Sequence, residues 1–229
     1  MLEVSSIDVS YGHAKVLHGV SASLRQGEMV FVVGRNGAGK TTLLRTIAGF
    51  LTPGQGDIRF QDQSIAGLRP DLVARRGLRF VAQDKKVFSD LTVRGNLELA
   101  AHAAGVDLEE AVEQLLSLYP KFDKFLDKKA GGLSGGQREI LLIGRALVGR
   151  PRVLLVDEPT EGLAAIVIED IFRILSGMKE SVSAVIVEQN LSVVQRLADR
   201  IYIMKEGKIE REVADPAELA DLDQLECYL

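Results

Sequence analysis

The chain has almost no cysteine. Cys227 stands alone among 229 residues, which excludes a disulfide framework or a thiolate metal cluster and makes a reducing, cytosolic compartment the default expectation. Histidine is scarce too: His13, His18 and His102 are scattered, whereas a zinc site needs clustered ligands. No apolar run approaches the roughly 20 residues that cross a bilayer. Met1 leads straight into a strand-like pattern, so no secretory signal is expected, and any membrane role has to come through a partner. A basic excess is also missing. The formal net charge of −4 argues against a main business of coating nucleic acid, and the pairs Lys85-Lys86 and Lys128-Lys129 read as solvated loop charges. Repeats, low-complexity tracts and disordered linkers are absent. What remains is an ordinary globular composition, long enough for one large domain or two closely joined lobes.

Met29–Val33, Leu78–Ala82, Val153–Val156 and Ala184–Val187 are continuous apolar runs. Strands buried on both faces have this character, so the expected fold is α/β, with a mainly parallel sheet covered by helices. Residues 1–28 alternate instead. Leu2, Val4, Ile7 and Val9, then Val16, Val20, Ala22 and Leu24, predict short, half-exposed antiparallel strands, and Asp57–Phe60 predicts another. Between Asp84 and Gly149 the pattern is mostly helical. Asp107 is placed to cap a helix over Leu108–Leu118, and Leu97, Leu99 and the alanines after them predict a helix before it. That stretch reads as a helical lobe inserted into the sheet domain. Ile201–Met204 and Lys208–Val213, around Lys205-Glu206-Gly207, predict a hairpin; Asp215 and Pro216 then open a terminal helix.

Between the first apolar run and a helical pattern lies Gly34-Arg35-Asn36-Gly37-Ala38-Gly39-Lys40-Thr41, which fits G-x-x-x-x-G-K-[ST]. Strand, glycine loop and helix are the context this motif requires. The glycines let main-chain N–H groups close around phosphate oxygens, and the helix N-terminus adds its dipole. Lys40 can reach the β- and γ-phosphates and the Thr41 hydroxyl can ligate Mg²⁺, so the chain is expected to bind a nucleoside triphosphate.

Asp157 and Glu158 leave the end of the third apolar run just before Pro159. Two carboxylates there are costly unless a cation or polar group receives them. A nucleotide-bound Mg²⁺ suits Asp157, which leaves Glu158 to orient the attacking water and accept its proton. Further along, Ser134 and Gln137 in Leu133-Ser134-Gly135-Gly136-Gln137 form a capping box, and the two glycines leave helix N–H groups bare as a second anion site. One triphosphate does not need two such sites on one chain. The economical reading closes the second site on nucleotide held by another subunit.

These motifs resemble the ATP-binding cassette (ABC) family in kind and in order, over essentially the whole chain. The resemblance implies a P-loop NTPase fold, with a RecA-like core plus antiparallel β-subdomain in 1–83 and 150–229 and a helical subdomain in 84–149. It implies that Tyr11 stacks on adenine, although the residues alone also allow an ordinary strand aromatic. It further implies that Asn36, Gly37, Ala38, Gly39 and Lys40 wrap the phosphates and that Thr41 and Thr42 add hydroxyl contacts. Gln83 would touch Mg²⁺ and relay nucleotide state to a transmembrane partner. Ser134, Gly135, Gly136 and Gln137 would meet the γ-phosphate bound by a second subunit.

Departures are informative as well. Gln189 stands where the family normally has a histidine contacting the γ-phosphate; it donates a hydrogen bond but cannot titrate. Ala164 replaces a usual aspartate and Ala165 a usual proline. Pro159–Ala164, Val187–Asn190 and Val87–Val93 with Asn96-Leu97 are similar to ATPase subunits of branched-chain amino acid and related amide importers. The resemblance thus implies an importer ATPase with Lys40, Glu158 and Gln189 as the catalytic set. ATP and Mg²⁺ would be its cofactors, and its place the cytoplasmic face of the membrane. Its partners would be a second ATPase chain, permease subunits and, indirectly, an external solute-binding protein. The alternatives are a soluble ABC ATPase of nucleic-acid repair or translation, a nucleotide-dependent assembly module without useful turnover, and a transporter ATPase for urea or amides, lipid or another solute.

Overall fold

The computed structural model describes residues 1–84, 86–179 and 181–219, and in it the chain opens with a long antiparallel hairpin, β1 (Leu2–Tyr11) and β2 (Ala14–Leu24). These strands are longer than the alternation predicts because bulges carry them through breaks in the pattern. Val4 and Ile7 are three apart, an odd step that would turn Ile7 outward. A register shift there, with Ser6 at φ 48°, absorbs the extra residue, and Leu2, Val4, Ile7 and Val9 all stay buried. A second shift opposite Gly19 corrects the expectation for β2. Leu17, Val20 and Leu24 face the core, while Val16 and Ala22 are only half-buried.

β3 (Met29–Val33) follows, and the glycine loop after it enters α1 (Lys40–Ile47). The chain then returns to the first sheet as β4 (Gln55–Phe60) and the short β5 (Gln63–Ser64), completing the order β2-β1-β4-β5. Next come α2 (Pro70–Arg75), with proline at its first turn, and β6 (Leu78–Val81). Helices fill the following stretch: α3 (Val93–Ala104), α4 (Leu108–Leu118), 3-10 turns at Pro120–Phe125 and Ala130–Gly132, and α5 (Gly135–Leu147). Asp107 does cap α4, accepting from the Glu109 N–H at 2.8 Å.

β7 (Val153–Asp157), α6 (Ala165–Met178), β8 (Ser183–Val187), α7 (Leu191–Leu197), β9 (Arg200–Lys205) and β10 (Lys208–Val213) complete the second sheet, ordered β10-β9-β3-β8-β7-β6. All its pairings are parallel except the β9–β10 hairpin, as the apolar runs predict. Every residue of β3, β7 and β8 is buried. Side-chain alternation on β3 divides the interior. Val30 and Val32 join α1 and the antiparallel sheet, whereas Met29, Phe31 and Val33 join a core shared with α3 to α7. Asp215 caps α8 (Pro216–Leu219) through the Ala217 N–H at 2.8 Å; the rest of the expected terminal helix, Cys227 and Lys85 lie outside the described residues.

The register decides where the site lies. Val32 is level with Val187, Val187 with Asp157, and Val81 with Val156. The segments after β3, β8, β7 and β6 therefore leave the sheet side by side at its carboxyl edge, the place where open α/β sheets hold ligands.

Candidate functional site

Gly39 is the N-cap of α1 with φ 104°, and a Cβ there would come within 2.8 Å of Leu17 Cδ2, so the turn into the helix tolerates only glycine. That turn places Lys40 inside its own loop. Its Nζ donates to the carbonyls of Gly34 at 2.6 Å and Arg35 at 3.2 Å and lies 3.6 Å from Glu158 Oε1. Both side chains are nearly fully buried. An open cavity of about 310 Å³ is walled by Val16, Asn36, Gly37, Ala38, Gly39, Lys40, Thr41, Thr42, Gln83 and Glu158.

Glu158 is the hub of the crevice. Its backbone sits in the left-handed region at φ 49°, an uncommon conformation for a side-chain-bearing residue that persists when its surroundings fix it. Gln83 Nε2 donates to Oε2 at 3.0 Å, and Gln189 Nε2 donates to Oε1 at 2.7 Å. Gln189 also reaches Asn36 Oδ1 at 2.7 Å, which ties the glycine loop to the residue after β8. Gln83 in turn donates to Glu161 Oε2 at 2.8 Å. Beside this cluster the Thr41 hydroxyl donates to Asp157 Oδ1 at 3.1 Å. Burial pushes the Asp157 carboxyl up to about 6, the Thr41 hydrogen bond opposing and the Glu158 charge adding to the rise.

Lys40, Thr41, Asn36, Gln83, Asp157, Glu158 and Gln189 are thus brought together. Thr42 is buried at the same wall, its carbonyl accepting from the Thr46 hydroxyl at 2.7 Å. Tyr11 ends β1 with its side chain exposed and does not line the crevice. Ser134, Gly135, Gly136 and Gln137 are also elsewhere; none of them borders the 310 Å³ cavity. They form the expected capping box at the mouth of α5: Ser134 N donates to Gln137 Oε1 at 2.9 Å, and Gln137 N to Ser134 Oγ at 3.3 Å. Gly136 has a second reason to be glycine that the motif conceals. A Cβ there would overlap Val167 Cγ1, so α5 can approach α6 only without a side chain at that position.

Two acidic residues were missed as parts of the site. Glu161 receives Gln83, and Glu188 lies buried between the segments after β7 and β8. In the sequence Glu188 enters only within the subgroup pattern Val187–Asn190. Its position directly behind a fully buried strand, where a carboxylate must find donors, is the signal that singles it out.

The chain is similar to known proteins over most of its length. Residues 17–161 match the ABC transporter family. The chain belongs to that family. Over 231 residues, spanning the whole chain and 99% of the relative, it is 36% identical to the high-affinity branched-chain amino acid transport ATP-binding protein BraG of Pseudomonas aeruginosa. Among solved structures, a nucleotide-free ATP-binding cassette from an ABC transporter superposes with a TM-score of 0.84 at 30% identity, covering 100% of this chain and 98% of that one. The dimeric, post-hydrolysis cassette MJ0796 bound to ADP and Pi gives 0.84 at 26% identity, covering 93% and 98%. This ABC ATPase therefore has the cassette fold, a mostly parallel mixed sheet beside an antiparallel one. Among the described residues no helix is long and apolar enough to cross a membrane.

Proposed function

We propose that this cassette is the ATP-hydrolysing subunit of an importer for branched-chain amino acids. The observation that carries the enzymatic part is the convergence of Lys40, Glu158, Gln83 and Gln189 on one crevice at the carboxyl edge of the sheet. Lys40 is held by Glu158 and two loop carbonyls. A triphosphate in the glycine loop draws that ammonium onto its β- and γ-phosphates, which releases the Glu158 carboxylate to accept the proton of an attacking water. Gln83 and Gln189 keep Glu158 aimed meanwhile, and Gln189 supplies a donor near the γ-phosphate without a titrating charge. Tyr11 stacks on the adenine and Thr42 adds a hydroxyl to the phosphate contacts.

Mg²⁺ fits the residues present. No group of three or more His, Cys, Asp or Glu among the described residues can cage a metal unaided. The Thr41 hydroxyl and the desolvated Asp157 carboxylate nevertheless supply hard oxygens beside the phosphate loop, with Gln83 near, as suits a cation shared with nucleotide phosphates. When bound, that cation neutralises phosphate charge.

The signature residues Ser134 to Gln137 lie outside the chain's own crevice, and the dimeric relative supports their closing on nucleotide held by a second cassette. The domain division proposed with it is a core of 1–83 and 150–229 with a helical subdomain of 84–149. A cavity of about 760 Å³, separate from the nucleotide crevice, is a groove between β6 with α2 and the helices α3 and α5. Arg75, Arg79, Lys86 and Arg145 line it against Asp71 and Asp84. Burial holds Arg79 and Arg145 below the usual arginine range. Phe88 and Leu91 are exposed nearby. This is the face proposed to receive permease helices bearing acidic residues, and the proposal includes attachment of the cassette at the cytoplasmic face of the membrane. An external solute-binding protein completes the importer. The BraG likeness supports the choice of solute.

The test is transport by the reconstituted assembly of cassette, permeases and solute-binding protein. Leucine, isoleucine or valine should stimulate ATPase activity and enter vesicles only with ATP. Stimulation by a different solute class overturns the solute, and tight association with nucleic acid in place of permeases overturns the importer.

A further inference from the structure

Glu188 has no part in the chemistry described so far, yet it is 2% exposed and, among the described residues, has no ion-pair partner. A buried carboxylate without a cation is costly unless hydrogen bonds replace water. Here they do. Oε1 accepts from the Thr160 N–H at 3.1 Å and from the Thr160 hydroxyl, and Oε2 accepts from the N–H groups of Gln189 at 2.6 Å and Asn190 at 3.0 Å. The two oxygens therefore hold different segments. One grips the chain two residues after Glu158, and the other grips the backbone of Gln189.

We infer that Glu188 is the positioning residue that sets the Glu158–Gln189–Asn36 contact, and through it the rate of hydrolysis. Its own backbone is anchored to β3, donating to Val32 O at 3.3 Å, one residue short of the strand end that feeds the glycine loop. From that point its side chain fixes Thr160 and Gln189 relative to each other, so the left-handed Glu158 and the Gln189 amide meet at 2.7 Å. Gln189 then spans Glu158 and Asn36. Glu188 also joins Thr160, at the head of the segment 160–164, to the residue expected near the γ-phosphate, so movement of either segment is transmitted to the other. The inference rests on Glu158 being the base.

The experiment is steady-state hydrolysis of Mg-ATP by the full chain, with nucleotide affinity measured separately. Glu188→Gln conserves size but turns an NH₂ group toward donors. It should lower kcat by about 10- to 100-fold, as loss of an orienting partner does, while KM and nucleotide affinity stay within about threefold because ground-state binding is untouched. Thr160→Val removes one of the bonds and should lower kcat alone to a smaller degree. The double variant should be no slower than Glu188→Gln, since both remove the same linkage. An unchanged kcat in a folded Glu188→Gln protein, or independent additive losses, overturns the inference. If Glu188→Gln fails to fold, Thr160→Val carries the test, and a normal kcat there overturns it. Glu158→Gln separates the two readings: turnover that survives it removes the base assignment, whereas its loss beside a fully active Glu188→Gln removes only the positioning role.

Discussion

Asp157 is desolvated where Thr41 and Lys40 lie near it, and its carboxyl is pushed from 3.8 up to about 6. The folded nucleotide-free protein thus holds a proton that the unfolded chain has released between those values, and its stability falls as pH rises from about 4 to about 6. The rise corresponds to about 3 kcal/mol at most. Asp157→Asn cannot ionise, so its unfolding free energy should gain on the wild type through that window and level off above it. Denaturant titrations from pH 4 to 8 check this, and a difference independent of pH would remove the assignment. Glu158→Gln keeps the hydrogen-bonding shape and removes the base. It should bind ATP and lose about 100-fold or more of kcat, measurable by single-turnover hydrolysis. A structural side chain shows the contrast. Arg200 is 5% exposed and donates to Glu28, Glu212, Ser23 and Tyr202, pinning β9 to the first sheet and to β10. Arg200→Met leaves the Glu28 carboxylate with the Arg25 N–H in place of three donors, and should cost about 3 kcal/mol or more in stability with kcat per folded molecule unchanged.

At the scale of elements, α6 begins poorly. Its N-cap is Ala164, with extended backbone angles and no side-chain hydrogen bond, and Ala165 rather than proline follows. Ala164→Asp supplies the missing acceptor and should raise stability by about 1 kcal/mol, seen as an upward shift in the midpoint of urea unfolding. At the other end of the same contact, Gly136→Ala drives a methyl into Val167 and should destabilise by about 1–3 kcal/mol. Most of that loss should return when Val167→Ala is added, which a double-mutant cycle measures. Elements whose signal is local were legible in the sequence: the apolar runs of β3, β7 and β8, the Asp107 cap, the Ser134–Gln137 box and the β9–β10 hairpin. The β1 and β2 faces were read less well, because a bulge displaces a strand pattern by one residue and leaves no composition behind it. Helices α2 and α6 were not foreseen, since the first is only one and a half turns long and the second lacks the cap that marks a start.

In the whole molecule, the signature residues at the mouth of α5 do not border the nucleotide crevice. The dimer proposal therefore predicts a change of assembly state. Glu158→Gln with Mg-ATP should sediment as a dimer and return to monomer when Ser134 is also replaced by arginine, while nucleotide affinity of the monomer is retained. A Glu158→Gln protein that stays monomeric with saturating Mg-ATP, even beside a sister cassette, would remove the proposal.

The sequence by itself determined the phosphate loop, the acidic pair, the signature segment and the parallel core, because each is written in contiguous residues whose local geometry follows from their type. Only the tertiary structure decided that Gln83, Glu158, Gln189 and Asn36 share one set of hydrogen bonds, that Gly136 is a packing residue, and that Glu188 grips two segments at once. Those facts depend on strand order and register. Neighbours such as β3 and β8, some 150 residues apart in the chain, are set side by side by a pairing no local pattern records.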